Sequence, residues 1–243
     1  MMVLAAIVAG GTGTRMKSAI PKQFLMIGGE TILGRSVDVF LASPEIDGIL
    51  IGAPSEYLKE TERIVRERRE RTHSDKPVIV TAGGANRNET LKNLCEAAFE
   101  RLGAAAEDIF VTHDAVRPFV TLRMIAESVR SMETAAVSTV AIPTTDTLLL
   151  STDHRNVEEV PDRSRFYRAQ TPQTARLGSL RDLLNSMTGE ERSVSTDLCG
   201  LYAGKGIRAV IIPGSEKNIK ITGPDDLKTA EALLNAENDG NGM

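Results

Sequence analysis

The sequence predicts a three-layer α/β sandwich with a mostly parallel, Rossmann-like sheet, a protruding β-arm, and helices on both faces. Three observations carry that expectation. Short apolar runs recur along the chain, they alternate with amphipathic stretches of helical period, and several of them stop at loops rich in glycine or charge. Strands that are apolar throughout are buried on both faces, which is the signature of a parallel sheet covered by helices.

Taken in order, the first strand is Val3–Val8 (VLAAIV), which ends at two glycines. A helical stretch follows at Thr31–Leu41. Gly48–Ala53 (GILIGA) reads as the second strand and Glu56–Arg71 as a charged outer helix. Pro77–Thr81 is the third strand and Asn88–Leu102 the helix after it. Ile109–Thr112 and Ala136–Ile142 are strands flanking a helix at Thr121–Met132. From Thr147 to Gln170 the alternation breaks. Three β-like pieces (Thr147–Ser151, Asn156–Val160 and Phe166–Ala169) carry no helical period, and they read as an extended hairpin arm, with a long surface loop as the alternative. An arm of that size needs something to pack on, and a second copy of the chain would serve. A helix at Leu177–Met187, a strand at Ile207–Ile212 and a helix at Asp225–Asn235 complete the set. One domain over residues 1–235 with a polar, frayed tail at 236–243 is the expected organisation.

Composition excludes several classes. The 243 residues are 41% hydrophobic and 26% charged, ordinary globular values, and the formal charge is −4. That balance argues against nucleic acid as a partner. No apolar run approaches the roughly 18 residues of a membrane helix. The N-terminus lacks the basic flank of a signal peptide, so a cytoplasmic location is expected, with no membrane association. Cys95 and Cys199 are not in a CxxC and read as reduced, packed thiols. The histidines His73, His113 and His154 fit neither a catalytic triad nor a zinc spacing.

Chemistry concentrates in three loops. In "AGGTGTRMKSAIPKQF" the glycines Gly10, Gly11 and Gly13 let backbone N–H groups converge on an anion, and Arg15 and Lys22 add charge. Met16 breaks both the dinucleotide fingerprint and the Walker A pattern. What remains suits a polyphosphate. On the glycine pattern alone, a tight strand-to-helix turn with two solvated cations is an equal alternative. "AGGANRNET" again sets glycines after a strand, with Arg87 opening a helix and Asn86 or Asn88 as its cap. "VTHDAVRPF" places Asp114, a candidate ligand for a divalent cation, and Arg117, a candidate phosphate ligand, just past a third strand. Loops at the carboxyl ends of strands in one sheet share a pocket.

Together with "AQTPQ" and "NIKITGPDDL", these motifs resemble the cytidylyltransferases that load CMP onto a polyol phosphate, over nearly the whole chain. The resemblance implies a sheet of the nucleotidyltransferase type, CTP as co-substrate, Mg²⁺, and a homodimer through the arm. Two kinds of relative share the pattern. One makes CDP-ribitol from D-ribitol 5-phosphate for teichoic acid of the cell wall. The other makes CDP-methylerythritol from 2-C-methyl-D-erythritol 4-phosphate for isoprenoids. Thr90 and Val116 resemble the ribitol enzymes, whereas the Arg15–Lys22 spacing resembles the methylerythritol ones. The two motifs outweigh the one loop length, so D-ribitol 5-phosphate is the expected acceptor.

The resemblance also implies roles. Val8, Ala9, Gly10 and Gly11 would meet the CTP phosphates. Arg15 and Lys22 would stabilise charge on the α-phosphate and the leaving pyrophosphate. Gly83, Gly84, Ala85 and Thr90 would recognise cytosine and ribose, with Asn86, Arg87, Asn88 and Glu89 completing that loop. Asp114 would sit by the Mg²⁺ and the ribose. Arg117, Thr171, Arg163 and Thr147 would face the acceptor, Arg163 from the arm of a partner subunit. Lys220 would contact both the α-phosphate and the acceptor phosphate.

Overall fold

The computed structural model describes residues 1–11, 16, 18, 20–194 and 197–240. Arg15 and Gly13 lie outside the described residues.

Four strands run parallel: β1 (Val3–Val8), β4 (Gly48–Ala53), β5 (Val78–Ala82) and β6 (Ile109–Asp114). A two-stranded ribbon of β2 (Met26–Ile27) and β3 (Glu30–Thr31) lies between the first two in sequence. The main sheet is completed by β7 (Val137–Pro143), β8 (Tyr167–Arg176) and β9 (Val210–Pro213), in the order β5-β4-β1-β6-β8-β7-β9. Strand β8 is antiparallel to both β6 and β7, and β9 is parallel to β7.

Alternation along these apolar strands fills two cores. Val3, Ala5 and Ile7 of β1, Ile49 and Ile51 of β4, and Ile109 and Val111 of β6 pack on one face. That face is covered by α1 (Ile32–Ala42), α2 (Leu58–Thr72) and α4 (Leu122–Ser131) through Val37, Phe40, Ile64 and Ile125. Leu4, Ala6, Leu50 and Phe110 point the other way. They meet α3 (Arg87–Leu102), α5 (Leu177–Ser186) and α7 (Leu198–Ala203) through Leu91, Leu94, Leu180 and Leu201. Each fully buried Leu, Ile or Phe contributes about 1.5–3 kcal/mol relative to exposure. The period of two in the strands thus builds the three expected layers. A short helix α6 (Gly189–Val194) precedes α7, and α8 (Pro224–Gly240) closes the chain.

Four expectations are corrected. Phe166–Ala169 is not the end of an arm, because β8 runs from Tyr167 to Arg176 inside the main sheet. The other two arm pieces meet at one antiparallel bridge, Leu150 with Glu159, rather than along a ladder. Their apolar residues Leu149, Leu150, Val157 and Val160 are exposed and find no layer to pack on within this chain. The last strand begins at Val210, not Ile207. The last helix runs on to Gly240, five residues into the segment expected to fray.

The sheet places the functional loops. The chain moves from β1 outward to β4 and β5, then crosses back to β6 on the other side of β1. Loops leaving β1 and β6 diverge there, forming the crevice where open α/β sheets bind ligands. Val8 and Asp114 are direct neighbours in the β1–β6 register. A third apolar cluster of Ile27, Ile32, Val116, Phe119, Ile221 and Leu234 seats the β2–β3 ribbon, the turn after β6 and α8 against one another. Among the described residues, no helix is long and apolar enough to cross a membrane.

Candidate active site

The carboxyl ends of β1, β5 and β6 open on one cavity of about 320 Å³. Val8, Ala9, Gly10 and Gly11 form one wall, and Gly84, Ala85, Asn86, Arg87 and Thr90 a second. Lys22, Gln23, Asp114, Val116, Lys220 and Thr222 close the rest. A smaller cavity of about 230 Å³ adjoins it, lined by Arg117, Ala169, Gln170, Thr171, Gln173 and Asp197. Arg87, Asp114 and Lys220 line both cavities and form the partition between them. A larger hollow of about 800 Å³ lies between α2 and the edge strand β5. It shares no lining residue with this site and meets none of the glycine loops, so the chemistry is placed in the two smaller cavities.

The glycine walls are held by what lies behind them. The Thr90 hydroxyl accepts from Gly84 N at 3.0 Å and donates to Asn86 O at 2.9 Å. A Cβ on Gly10 or on Gly83 would stand 3.1 Å from that same hydroxyl, so the two glycines let the loops close on Thr90. Asn86 caps α3 by accepting from Glu89 N at 2.9 Å, and the Glu89 carboxylate accepts from Ala85 N at 3.0 Å. On the β1 side, the buried Gln23 amide donates to Ala9 O at 2.5 Å and to Gly11 O at 3.1 Å. With those carbonyls tied back, the loop's N–H groups are left for a ligand. Lys22 is 9% exposed and opens the 3-10 turn Lys22–Phe24.

Asp114 is the electrostatic centre. Its Oδ1 accepts from Arg87 Nε at 3.1 Å, and its Oδ2 meets Lys220 Nζ at 2.8 Å and Arg117 Nε at 4.0 Å. Burial by itself would push this carboxyl up. Arg87, Lys220 and Arg117 outweigh that and hold it well below the usual carboxylate range. The charge is unevenly spread in the other direction too: three cations face one carboxylate. Arg87 Nη1 and Arg117 Nε are buried with no hydrogen-bond partner among the described residues. Buried donors of this kind are strong binders of an anionic oxygen.

Beneath the partition, His113 is fully buried, and burial pushes its pKa down to about 3. It is neutral at physiological pH. Gln173 links the walls by accepting from Leu198 N at 3.1 Å and from Arg87 Nη2 at 3.4 Å. Asn218 donates to Thr171 O at 2.9 Å, anchoring the segment that carries Lys220.

Most of the expected residues therefore gather, but several side chains do not face a ligand. The Thr90 hydroxyl is spent on backbone, as described above. Thr171 borders the smaller cavity, yet its hydroxyl is taken by His113 Nδ1 at 2.9 Å and Asp114 N at 3.2 Å. Asn88 turns to Arg192 O at 2.8 Å and lines neither cavity. Thr147 and Arg163 are also absent from both, and Arg163 instead donates to Thr145 O at 2.6 Å on an exposed segment. Gln23, Gln173, Asn218 and Thr222 were missed in the sequence. Their only signal is position, since each lies within or beside a motif: "PKQF", "QTPQ" or "NIKIT".

The donor set also tests a metal. Among the described residues no group of three or more His, Cys, Asp or Glu side chains could cage an ion. Asp114 is the one carboxylate among the residues lining the larger cavity. A single carboxylate matches in number the one or two that commonly hold Mg²⁺ together with substrate phosphates, but its two oxygens already meet Arg87 and Lys220, so the phosphates would supply most of the ligands; it does not fit a resident ion in an all-protein cage.

Comparison with known proteins agrees on one family, whose members differ in the acceptor they are named for. Residues 3–236 match the profile of the family described as IspD: 2-C-methyl-D-erythritol 4-phosphate cytidylyltransferase. Ribitol-5-phosphate cytidylyltransferases of Streptococcus pneumoniae, from strains D39 and ATCC 700669, are each 36% identical over 234 residues, covering 96% of this chain and 99% of theirs. Among solved structures, the 2-C-methyl-D-erythritol 4-phosphate cytidylyltransferase of Francisella tularensis superposes with a TM-score of 0.75 at 26% identity, over 96% of this chain and 99% of that one. The 4-diphosphocytidyl-2C-methyl-D-erythritol synthase of Anaerococcus prevotii shares the fold, with a TM-score of 0.78 at 22% identity over 96% of each chain.

Proposed function

The chain belongs to the IspD family of cytidylyltransferases, and from that premise we propose that it transfers CMP from CTP to D-ribitol 5-phosphate, releasing pyrophosphate and CDP-ribitol. The observation that carries this reading is the partition. Two cavities, one walled by glycine loops and one by Arg117, share a carboxylate and two cations. A nucleotide in the first and a polyol phosphate in the second would bring their phosphates together at Arg87 and Lys220. The ribitol acceptor is supported by the curated relatives at 36% identity and by the resemblance of the motifs carrying Thr90 and Val116 to those of the ribitol enzymes. The methylerythritol acceptor is the second reading, supported by the family profile and by the spacing from Arg15 to Lys22.

In the proposed reaction an oxygen of the acceptor phosphate attacks the α-phosphorus of CTP in line. A bond forms between that oxygen and phosphorus, and the bond to the β-phosphate oxygen breaks with its electron pair leaving on pyrophosphate. Phosphate monoesters have a second pKa near 6, so the nucleophile is already ionised and no general base is needed. The barrier is the approach of two anions, and the chain's part is to supply positive charge. Lys22 and the N–H groups of Gly10 and Gly11 would meet the nucleotide phosphates. Lys220, Arg87 Nη1 and Arg117 would meet the acceptor phosphate. Mg²⁺, held at Asp114 and by the nucleotide, would neutralise charge on the triphosphate. Arg15 has a proposed share in this through the family motif, and it lies outside the described residues.

The proposal includes a homodimer. Arg163 and Thr147 lie on the exposed segment between β7 and β8, beside exposed Leu149, Leu150, Val157 and Val160. That apolar surface would suit a second copy, whose acceptor cavity would receive Arg163. A cytoplasmic location is part of the same proposal, and the thiols of Cys95 and Cys199 are free.

Incubation with CTP, Mg²⁺ and D-ribitol 5-phosphate is expected to give CDP-ribitol and pyrophosphate in equal amounts by anion-exchange chromatography. Pyrophosphate without a CDP-polyol would refute the acceptor assignment. Gln23→Leu gives a narrower check. It removes both bonds to the Ala9 and Gly11 carbonyls, and the KM for CTP is expected to rise about tenfold, the worth of a typical buried hydrogen bond. An unchanged KM would mean that the glycine loop holds its shape without Gln23.

A further inference from the structure

His113 has no part in the transfer chemistry, yet both its ring nitrogens face polar partners. Nε2 lies 3.1 Å from the carbonyl oxygen of Arg117, and Nδ1 lies 2.9 Å from the hydroxyl of Thr171. A carbonyl can only accept, so Nε2 carries the proton. Thr171 Oγ1 accepts from the Asp114 backbone N–H at 3.2 Å, which directs its own proton to Nδ1. The network therefore selects one neutral tautomer. Phe40 lies against the ring, with centroids 5.1 Å apart, and keeps it from sliding.

The two ends of this chain of bonds are the main-chain groups of Asp114 and Arg117. Arg117 N also donates to Asp114 O at 3.0 Å, closing the turn after β6. From that turn the guanidinium reaches Asn218 O at 2.8 Å and Ala169 O at 3.3 Å. The guanidinium is thus held on β8 and the Lys220 segment, while the main chain that carries it is held by the Arg117 N–H bond to Asp114 O and by the contact of its carbonyl with His113.

We propose that His113 is a positioning residue for the acceptor: its Nε2–H holds the Arg117 carbonyl and so sets the guanidinium that meets the acceptor phosphate. This rests on the acceptor reading of the smaller cavity. Arg117 lines that cavity and not the larger one, so the effect falls on the acceptor and spares CTP. A histidine that merely fills the core would alter stability without separating the two substrates.

Two near-isosteric variants divide its bonds. His113→Asn places an amide oxygen near the Nδ1 position, keeping an acceptor for Thr171 and losing the bond to Arg117. His113→Gln carries an amide N–H toward the Nε2 position and keeps a donor to Arg117. Steady-state kinetics are expected to show the Asn variant with the KM for D-ribitol 5-phosphate raised about tenfold and that for CTP changed less than about twofold, with Gln restoring most of the loss. Equal acceptor KM values in wild type and both variants, with only Tm lowered, would overturn the inference. If the variants do not fold, ¹⁵N NMR of the wild-type imidazoles decides. A protonated Nε2 that shifts on adding D-ribitol 5-phosphate supports the inference, and a protonated Nδ1 overturns it. A wild-type enzyme that uses no polyol phosphate would overturn the acceptor reading itself, which is a different result from an active enzyme indifferent to both substitutions.

Discussion

Replacing Asp114 by Asn is expected to remove nearly all turnover and to weaken the fold at the same time. The side chain is 10% exposed and is shared by Arg87, Lys220 and Arg117. Asparagine keeps the shape and loses the charge, leaving the Arg87 and Arg117 guanidiniums buried beside each other. Breaking a buried pair by removing one partner costs about 3–5 kcal/mol, because the remaining charge is uncompensated. Lys220 adds little to that penalty, since its side chain is 41% exposed and water screens it. The catalytic loss has a separate origin. Without the carboxylate, Arg87 and Lys220 lose the group that fixes them at the partition, and the proposed metal loses its protein ligand. A fall in kcat/KM of at least about a hundredfold follows, on the scale of a lost electrostatic stabiliser. Denaturant unfolding and steady-state kinetics read the two effects independently. A variant of wild-type stability and activity would show that the three cations need no common partner.

Lys22→Ala carries the second large effect, and here the expected change is chiefly in rate. Lys22 lies in the turn that follows Pro21, with its side chain lining the glycine-walled cavity. Alanine is compatible with that turn, whose own bonds are backbone ones, Phe24 N to Pro21 O at 2.9 Å and Leu25 N to Lys22 O at 3.0 Å. The ammonium's proposed task is to meet negative charge that grows on the departing pyrophosphate. Removing such a group costs about 3 kcal/mol, roughly a hundredfold in kcat. The far-UV circular dichroism spectrum should stay that of the wild type. Lys22→Arg is expected to recover part of the loss, because it restores charge on a larger, planar head. An alanine variant with wild-type kcat would remove Lys22 from the reaction.

The parallel half of the fold was legible because its signal is local. Val3–Val8 and Gly48–Ala53 are apolar throughout, and both strands begin and end at the expected residues. Strand β8 was not legible. Its sequence YRAQTPQTAR is polar and contains Pro172, so nothing in it marks a central strand. Its buried Gln170, Thr171 and Gln173 side chains are satisfied by partners distant in sequence, such as Gln173 with Thr139 and Thr171 with His113, and sequence alone does not show that pairing. The same distinction divides the site. The glycine loops and the cluster of Asp114, Arg87 and Arg117 could be read from residue type and from their place after strands. The directions of Thr90, Asn88 and Thr171 could not, because packing decides which way a short polar side chain turns. Gln23 and Asn218 escaped notice for a related reason: an amide becomes a structural tie only once it is buried among carbonyls.

The measurement that bears most directly on the proposed reaction is a competition. Equal concentrations of D-ribitol 5-phosphate and 2-C-methyl-D-erythritol 4-phosphate are offered together with limiting CTP and Mg²⁺, and the CDP-polyols are followed by ³¹P NMR and mass spectrometry. Product partition then gives the ratio of the two kcat/KM values within one reaction. CDP-ribitol as the dominant product is the expected result, and it would bear out the motifs that carry Thr90 and Val116 as the guide to the acceptor. CDP-methylerythritol as the dominant product would contradict the proposed acceptor and show that the spacing from Arg15 to Lys22 is the better guide.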